Sequence, residues 1–140
     1  MKYFFSIVSL IALSQFANAQ DEDSWTIKLN NQTLLTTSKE DVATNTKRVK
    51  KFDWRKNGTL EVVFKEHEKS VWIRSFLFCD ENDNQLLAKD SVSHTKISVG
   101  TLRSLFAGKK KIVIYTVVAP SNPMIAVRIR RIHLCTLLLP

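Results

Sequence analysis

From Gln20 onward, apolar and polar residues alternate with a period of two. Trp25, Ile27 and Leu29 interleave with Thr26, Lys28 and Asn30, the pattern of a half-buried strand that ends at Asn30-Asn31. Residues 33–37 predict a short partner strand. Phe52 and Trp54 alternate with Asp53 inside residues 47–54, and Leu60, Val62 and Phe64 alternate inside residues 59–65. Asn57-Gly58 between these two runs predicts a β-hairpin, because both residue types tolerate the positive φ of a type I′ turn. Residues 71–79 are apolar on both parities, as in a central strand covered at least partly on each face.

The rest of the chain continues in the same way. Asp80 to Asn84 is a polar turn, followed by predicted strands at 85–89, 91–99 and 112–119. Residues 125–139 predict a long strand or a bent pair. One segment has helical spacing: Leu102, Leu105 and Phe106 sit at i, i+3 and i+4 within residues 101–107, with Gly108 placed to end the helix. Short strands, frequent turn signals and one helical turn predict a single all-β domain. The expected architecture is an antiparallel sandwich of about eight strands, immunoglobulin-like or jelly-roll-like, over residues 20–140. A parallel α/β fold needs alternating strands and helices, which are absent.

Residues 1–19 stand apart from this pattern. Lys2 supplies a positive start, residues 3–13 an uncharged and mostly apolar run, and Ala17-Asn18-Ala19 the small residues that precede a signal-peptidase cut. This predicts a cleaved export signal of bacterial type, hence a periplasmic or extracellular protein. No later run is long enough for a membrane-spanning helix. Cleavage removes one base, so the formal charge of +8 becomes +7 in the exported chain.

Export changes the meaning of the cysteines. Cys79 and Cys135 are the only two in the chain, and an oxidising compartment permits a bridge between them. An unstrained bridge over so long a loop contributes about 3 to 4 kcal/mol. The alternative is two buried free thiols that pack as small hydrophobes.

Catalytic and metal motifs find little support. Only Gly58, Gly100 and Gly108 are present, which excludes a phosphate-binding glycine loop, a dinucleotide fingerprint and a nucleophile elbow. Asp80, Asn82 and Asn84 open like a calcium loop, but Gln85 and Ser91 stand where it needs glycine and glutamate. His67, His94 and His133 are dispersed, and His133 with Cys135 lacks the further ligands of a copper or zinc site. The sequence therefore predicts no catalytic group, no metal and no cofactor.

Charge is the remaining signal. Lys47, Arg48, Lys50, Lys51, Arg55 and Lys56 form one dense segment, Lys109 to Lys111 a second, and Arg128, Arg130 and Arg131 a third. As strand residues, Arg128 and Arg130 present an arginine stripe opposite Val127 and Ile129, with a bulge at Arg131-Ile132 restoring Ile132 and Leu134 to the core. If these segments share a face, they bind a polyanion such as lipopolysaccharide or an acidic polysaccharide. Otherwise they are solvated strand faces and guarded edges. A second reading is an accessory subunit that contacts an envelope protein through residues 71–79 and the apolar tail Leu137-Leu138-Leu139. A small secreted hydrolase is the third.

Overall fold

The computed structural model describes residues 22–140, and the predicted export signal at residues 1–19 lies outside the described residues. Nine strands form two sheets. The first contains β1 (Ser24–Leu29), β2 (Gln32–Thr37), β4 (Thr59–Lys65) and β7 (His94–Ser98), in the order β2-β1-β4-β7. The second contains β3 (Thr46–Arg48), β5 (Ile73–Cys79), β6 (Gln85–Asp90), β8 (Lys111–Ala119) and β9 (Ile132–Leu138), in the order β3-β9-β8-β5-β6. Two short helices, α1 (Lys51–Arg55) and α2 (Val99–Leu105), complete the set. The architecture is an all-β sandwich, with one helix and one strand more than expected.

Alternation along the strands explains the core. Ile27, Leu60 and Val62 from the first sheet face Phe76, Phe78, Ile112 and Ile114 from the second, and all are fully buried. At about 25 cal/mol per Å² of apolar surface, such side chains each contribute roughly 1.5 to 3 kcal/mol. Trp25 ties the layers together by donating its indole N–H to the Leu134 carbonyl at 2.9 Å. The β1–β2 hairpin closes through Asn30 and Asn31, whose φ values of 52° and 66° are those of a type I′ turn.

The hairpin expected at Asn57-Gly58 does not form. β3 pairs in parallel with β9 in the second sheet, whereas β4 lies in the first. The chain must therefore cross between layers after Arg48, and α1 makes the crossing. Phe52 and Trp54 satisfy a strand pattern and a single helical turn equally well, and the crossing selects the helix. Gly58 has a different role from the one its sequence context suggests. A Cβ there would overlap Asn30 Oδ1, while Asn30 Nδ2 donates to the Asp53 carbonyl at 3.1 Å.

α2 begins two residues earlier than predicted because Ser98 caps it, accepting the Thr101 N–H at 3.0 Å. Leu102 and Phe106 are buried, and Gly108 adopts a φ of 76° just beyond the helix.

Residues 125–139 do not form the predicted long strand or bent pair. Only Ile132–Leu138 is strand, and residues 121–131 run exposed outside the sheet. Pro120 and Pro123 offer no N–H to a ladder. Arg130 and Arg131 leave in different directions, Arg130 to Glu40 and Arg131 to Asp83. The bulge falls inside β9, not at Arg131. Ile114 pairs with Cys135 and Tyr115 with His133, so Leu134 has no partner across the ladder and enters the core.

Candidate functional site

The strand register sorts the loops into two ends. β3, β5, β7 and β9 finish, and β4 and β8 begin, at the end that carries both helices. Arg48 on β3 and Lys111 on β8 both pair with Leu138 of β9, so they flank it on neighbouring strands. With strands about 4.8 Å apart, their Cα atoms are roughly 10 Å from one another. α1 follows β3 at once and adds Lys51 and Arg55, with Lys50 and Lys56 at its boundaries. Two of the three basic segments thus meet at one end.

Local structure holds this end in place. The Val49 side chain is buried, and its N–H donates to the Leu138 carbonyl at 2.9 Å. Arg103 of α2 donates to the Trp54 carbonyl at 2.7 Å and fixes the exit of α1. Its role was not legible in the sequence, where it reads as an isolated base on a helix. Lys109 is also occupied, making a 2.9 Å ion pair with buried Asp80.

Asp80 explains the residues that resembled a calcium loop. Its carboxylate accepts the N–H groups of Asn82 and Asn84, the Asn84 side-chain amide and the Lys109 ammonium. Burial acts to raise the Asp80 pKa, but Lys109 and the Asn84 and Asn82 donors outweigh it and hold the carboxyl well below its ordinary range. Glu81 accepts the Lys110 N–H at 3.1 Å, so its carboxylate is also engaged by backbone.

The exposed cations are left without carboxylate partners. Among the described residues, none of Arg48, Lys50, Lys51, Arg55, Lys56, Lys110 and Lys111 enters an ion pair. Each of them is exposed, whereas Lys47 is half-buried at the sheet edge. Lys56 also lies over the Phe52 ring, 5.8 Å from its centroid, and Phe52 is 74% exposed. An aromatic ring among unpaired cations can meet both the charges and the apolar faces of a saccharide or lipid headgroup.

The third basic segment lies elsewhere. Arg131 extends over the Tyr115 ring at 4.2 Å and makes two hydrogen bonds to Asp83, 2.9 and 3.0 Å long. Arg130 pairs with Glu40, which also accepts the His133 N–H. Arg128 is exposed on residues 120–131, off the sheet, so the expected arginine stripe is absent.

The two cysteines and His133 serve packing, whereas His67 and His94 are exposed. Cys79 and Cys135 are free and buried, on β5 and β9 with β8 between them. That places their Cα atoms about 10 Å apart, beyond bridging distance. Burial raises both thiol pKa values, that of Cys135 to about 12. His133 is buried with Nε2 2.7 Å from Thr136 Oγ1, and His94 lies 3.2 Å from Glu61. Among the described residues, no three His, Cys, Asp or Glu side chains are grouped to hold a metal, and no helix is long and apolar enough to cross a membrane. The tail is not a free surface, because Leu137 is buried and Leu139 packs on the core. No family model, curated protein or solved structure matches the chain.

Proposed function

We propose that the chain is an exported, non-catalytic binding module that holds a polyanion against its helix-bearing end. Arg48, Lys50, Lys51, Arg55, Lys56, Lys110 and Lys111 supply the contacts, with Phe52 as an apolar platform. The observation that carries this reading is the register at Leu138, which sets Arg48 and Lys111 on either side of β9 with α1 adjoining. Sulfate, phosphate or carboxylate groups along a saccharide or a lipopolysaccharide core would each meet one or two of these cations. The arrangement favours repeated anionic groups over a single buried one, because every cation is solvated and long-stemmed.

Retention on immobilised heparin and on lipopolysaccharide, measured against salt, tests the proposal. Elution well above physiological ionic strength is expected, and the Lys51→Glu/Arg55→Glu variant should elute markedly earlier. Arg128→Glu/Arg130→Glu should elute close to wild type. Wild-type elution at or below physiological salt, or an unchanged Lys51→Glu/Arg55→Glu variant, overturns it.

A further inference from the structure

The opposite end of the sandwich contains an open cleft of about 590 Å³ that the polyanion reading does not use. Phe64, Trp72, Ile73 and Val92 give it apolar walls. At its floor, the Arg74 guanidinium lies 3.7 Å from the Phe64 ring centroid, and Trp25 stacks on Phe64 at 5.9 Å. Arg74 is only 8% exposed. Its Nε and Nη2 donate to Glu66 Oε1 at 3.1 and 3.0 Å, and its Nη1 donates to Thr116 Oγ1 at 2.9 Å. The other Glu66 oxygen accepts the Ser70 N–H, and Ser70 Oγ accepts the Trp72 N–H. One carboxylate thus sets both the buried arginine and the loop that carries Trp72.

This wiring decides the charge of the cleft. Among the described residues, Glu66 is the one carboxylate in the lining, and Arg74 neutralises it. Lys65 and Lys69 line the same cleft, are exposed, and make no ion pair among the described residues. The lining therefore pairs apolar walls with two uncompensated cations. Apolar surface continues outside it. Val71 is 88% exposed, Trp72 37% and Ile73 40%. Ile73 pairs with Ala119, so residues 120–131 leave the sheet beside Trp72, carrying Met124 at 87% exposure and Ile125 at 50%. Large apolar side chains clustered like this mark a binding surface, and the volume falls in the range of small-ligand sites.

We propose that this cleft binds an amphiphilic anion, a single acyl chain ended by a carboxylate or phosphate. The chain lies against Phe64, Trp72, Ile73 and Val92, and the head meets Lys65 and Lys69. A free fatty acid and a lysophospholipid share this chemistry. The site shares no residue with the helix-bearing end, so either reading can fail without the other.

The test is titration calorimetry with decanoate, decyl phosphate, decanol and inorganic phosphate, below micelle-forming concentrations, on the protein as the cell processes it. Saturable one-to-one binding of decanoate and decyl phosphate is expected. Decanol should bind about tenfold more weakly, as for loss of one charge-assisted contact, and inorganic phosphate not measurably. A preference for decyl phosphate over decanoate assigns the head to a phospholipid, and the reverse to a fatty acid. Trp72→Ser and, independently, Ile73→Ser should each weaken decanoate at least tenfold at nearly unchanged urea midpoints. Lys65→Ala/Lys69→Ala should weaken decanoate but not decanol, and Lys51→Glu/Arg55→Glu should change neither. The proposal is overturned if decanoate does not saturate, if decanol binds equally well, or if both cleft variants bind as wild type. It is also overturned if light scattering shows a dimer that Trp72→Ser dissolves, since the face would then belong to a second copy.

Discussion

The two ends of this sandwich are built from the same strands and differ in what they do with charge. At the helix-bearing end, carboxylates are drawn into the structure: Asp80 caps a turn and Glu81 accepts a backbone N–H. Lys109 pairs with Asp80, but Arg48, Lys50, Lys51, Arg55, Lys56, Lys110 and Lys111 are left exposed and, among the described residues, without carboxylate partners. At the cleft end, the arginines are consumed in pairs, Arg74 with Glu66 and Arg130 with Glu40, and apolar side chains face water beside the unpaired Lys65 and Lys69. A formal charge of +8 therefore says less than the distribution of unpaired charge. Arg128, Arg130 and Arg131 are nearly as dense in sequence as Lys109 to Lys111, yet two of the three are already paired.

This contrast is open to direct tests, beginning with stability. Phe64→Ala removes the ring between Trp25 and Arg74 and should cost about 3 to 5 kcal/mol. Phe52→Ala at the other end should stay within about 0.5 kcal/mol, because that ring is 74% exposed. Equal costs in urea denaturation would erase the distinction between a structural and a surface aromatic.

Arg74→Met should cost about 2 to 3 kcal/mol by the same measurement, because Glu66 loses its partner in a partly buried site. Lys51→Glu/Arg55→Glu breaks no ion pair and should leave the urea midpoint nearly unchanged. A loss as large as that of Arg74→Met would mean that the cations of the helix-bearing end are structural.

Gly58→Ala sharpens the account of that end. The added Cβ overlaps Asn30 Oδ1, so about 1 to 3 kcal/mol should be lost through overpacking. Asn30→Ala together with Gly58→Ala should recover part of it. A neutral single variant would show that α1 is not held as described.

The smallest expected effect is a pH dependence at His133, where the loop bearing Glu40 crosses β9. Burial lowers the His133 pKa against the opposing pull of Glu40, so the folded state holds the ring neutral. The unfolded chain takes up the proton near pH 6.5, so the stabilisation is complete above that value and shrinks as the pH falls below it. Urea midpoints between pH 8 and 5 should decline on the acid side, and His133→Asn should flatten that slope. An identical slope in the variant would assign it to other groups.

The strand alternation made the fold class and most of the core readable. Trp25, Ile27, Leu60, Val62, Phe76, Phe78, Ile112 and Ile114 are buried as their parity predicts. The misreadings arose where a local pattern admits two structures and a distant contact selects between them. Phe52 and Trp54 suit a strand or a helical turn, and the parallel pairing of β3 with β9 decides. Residues 125–130 alternate like a strand, but the prolines before them and the diverging partners of Arg130 and Arg131 draw them out of the sheet. The basic segments were visible as counts, and only the register at Leu138 brings two of them together. Arg103 and the Arg74–Glu66 wiring carry no local signature, because each depends on residues distant in the chain or on a strand order that no short segment encodes.

In the proposed function, unpaired cations rather than merely dense ones form the anion-binding surface. Backbone amide NMR during titration with a heparin tetrasaccharide tests it residue by residue. Saturating shifts are expected at Arg48, Lys51, Arg55, Lys56, Lys110 and Lys111, with Arg128, Arg130, Arg131 and Arg74 unmoved. Shifts centred on Arg128 to Arg131, or no saturating shift anywhere, would contradict it.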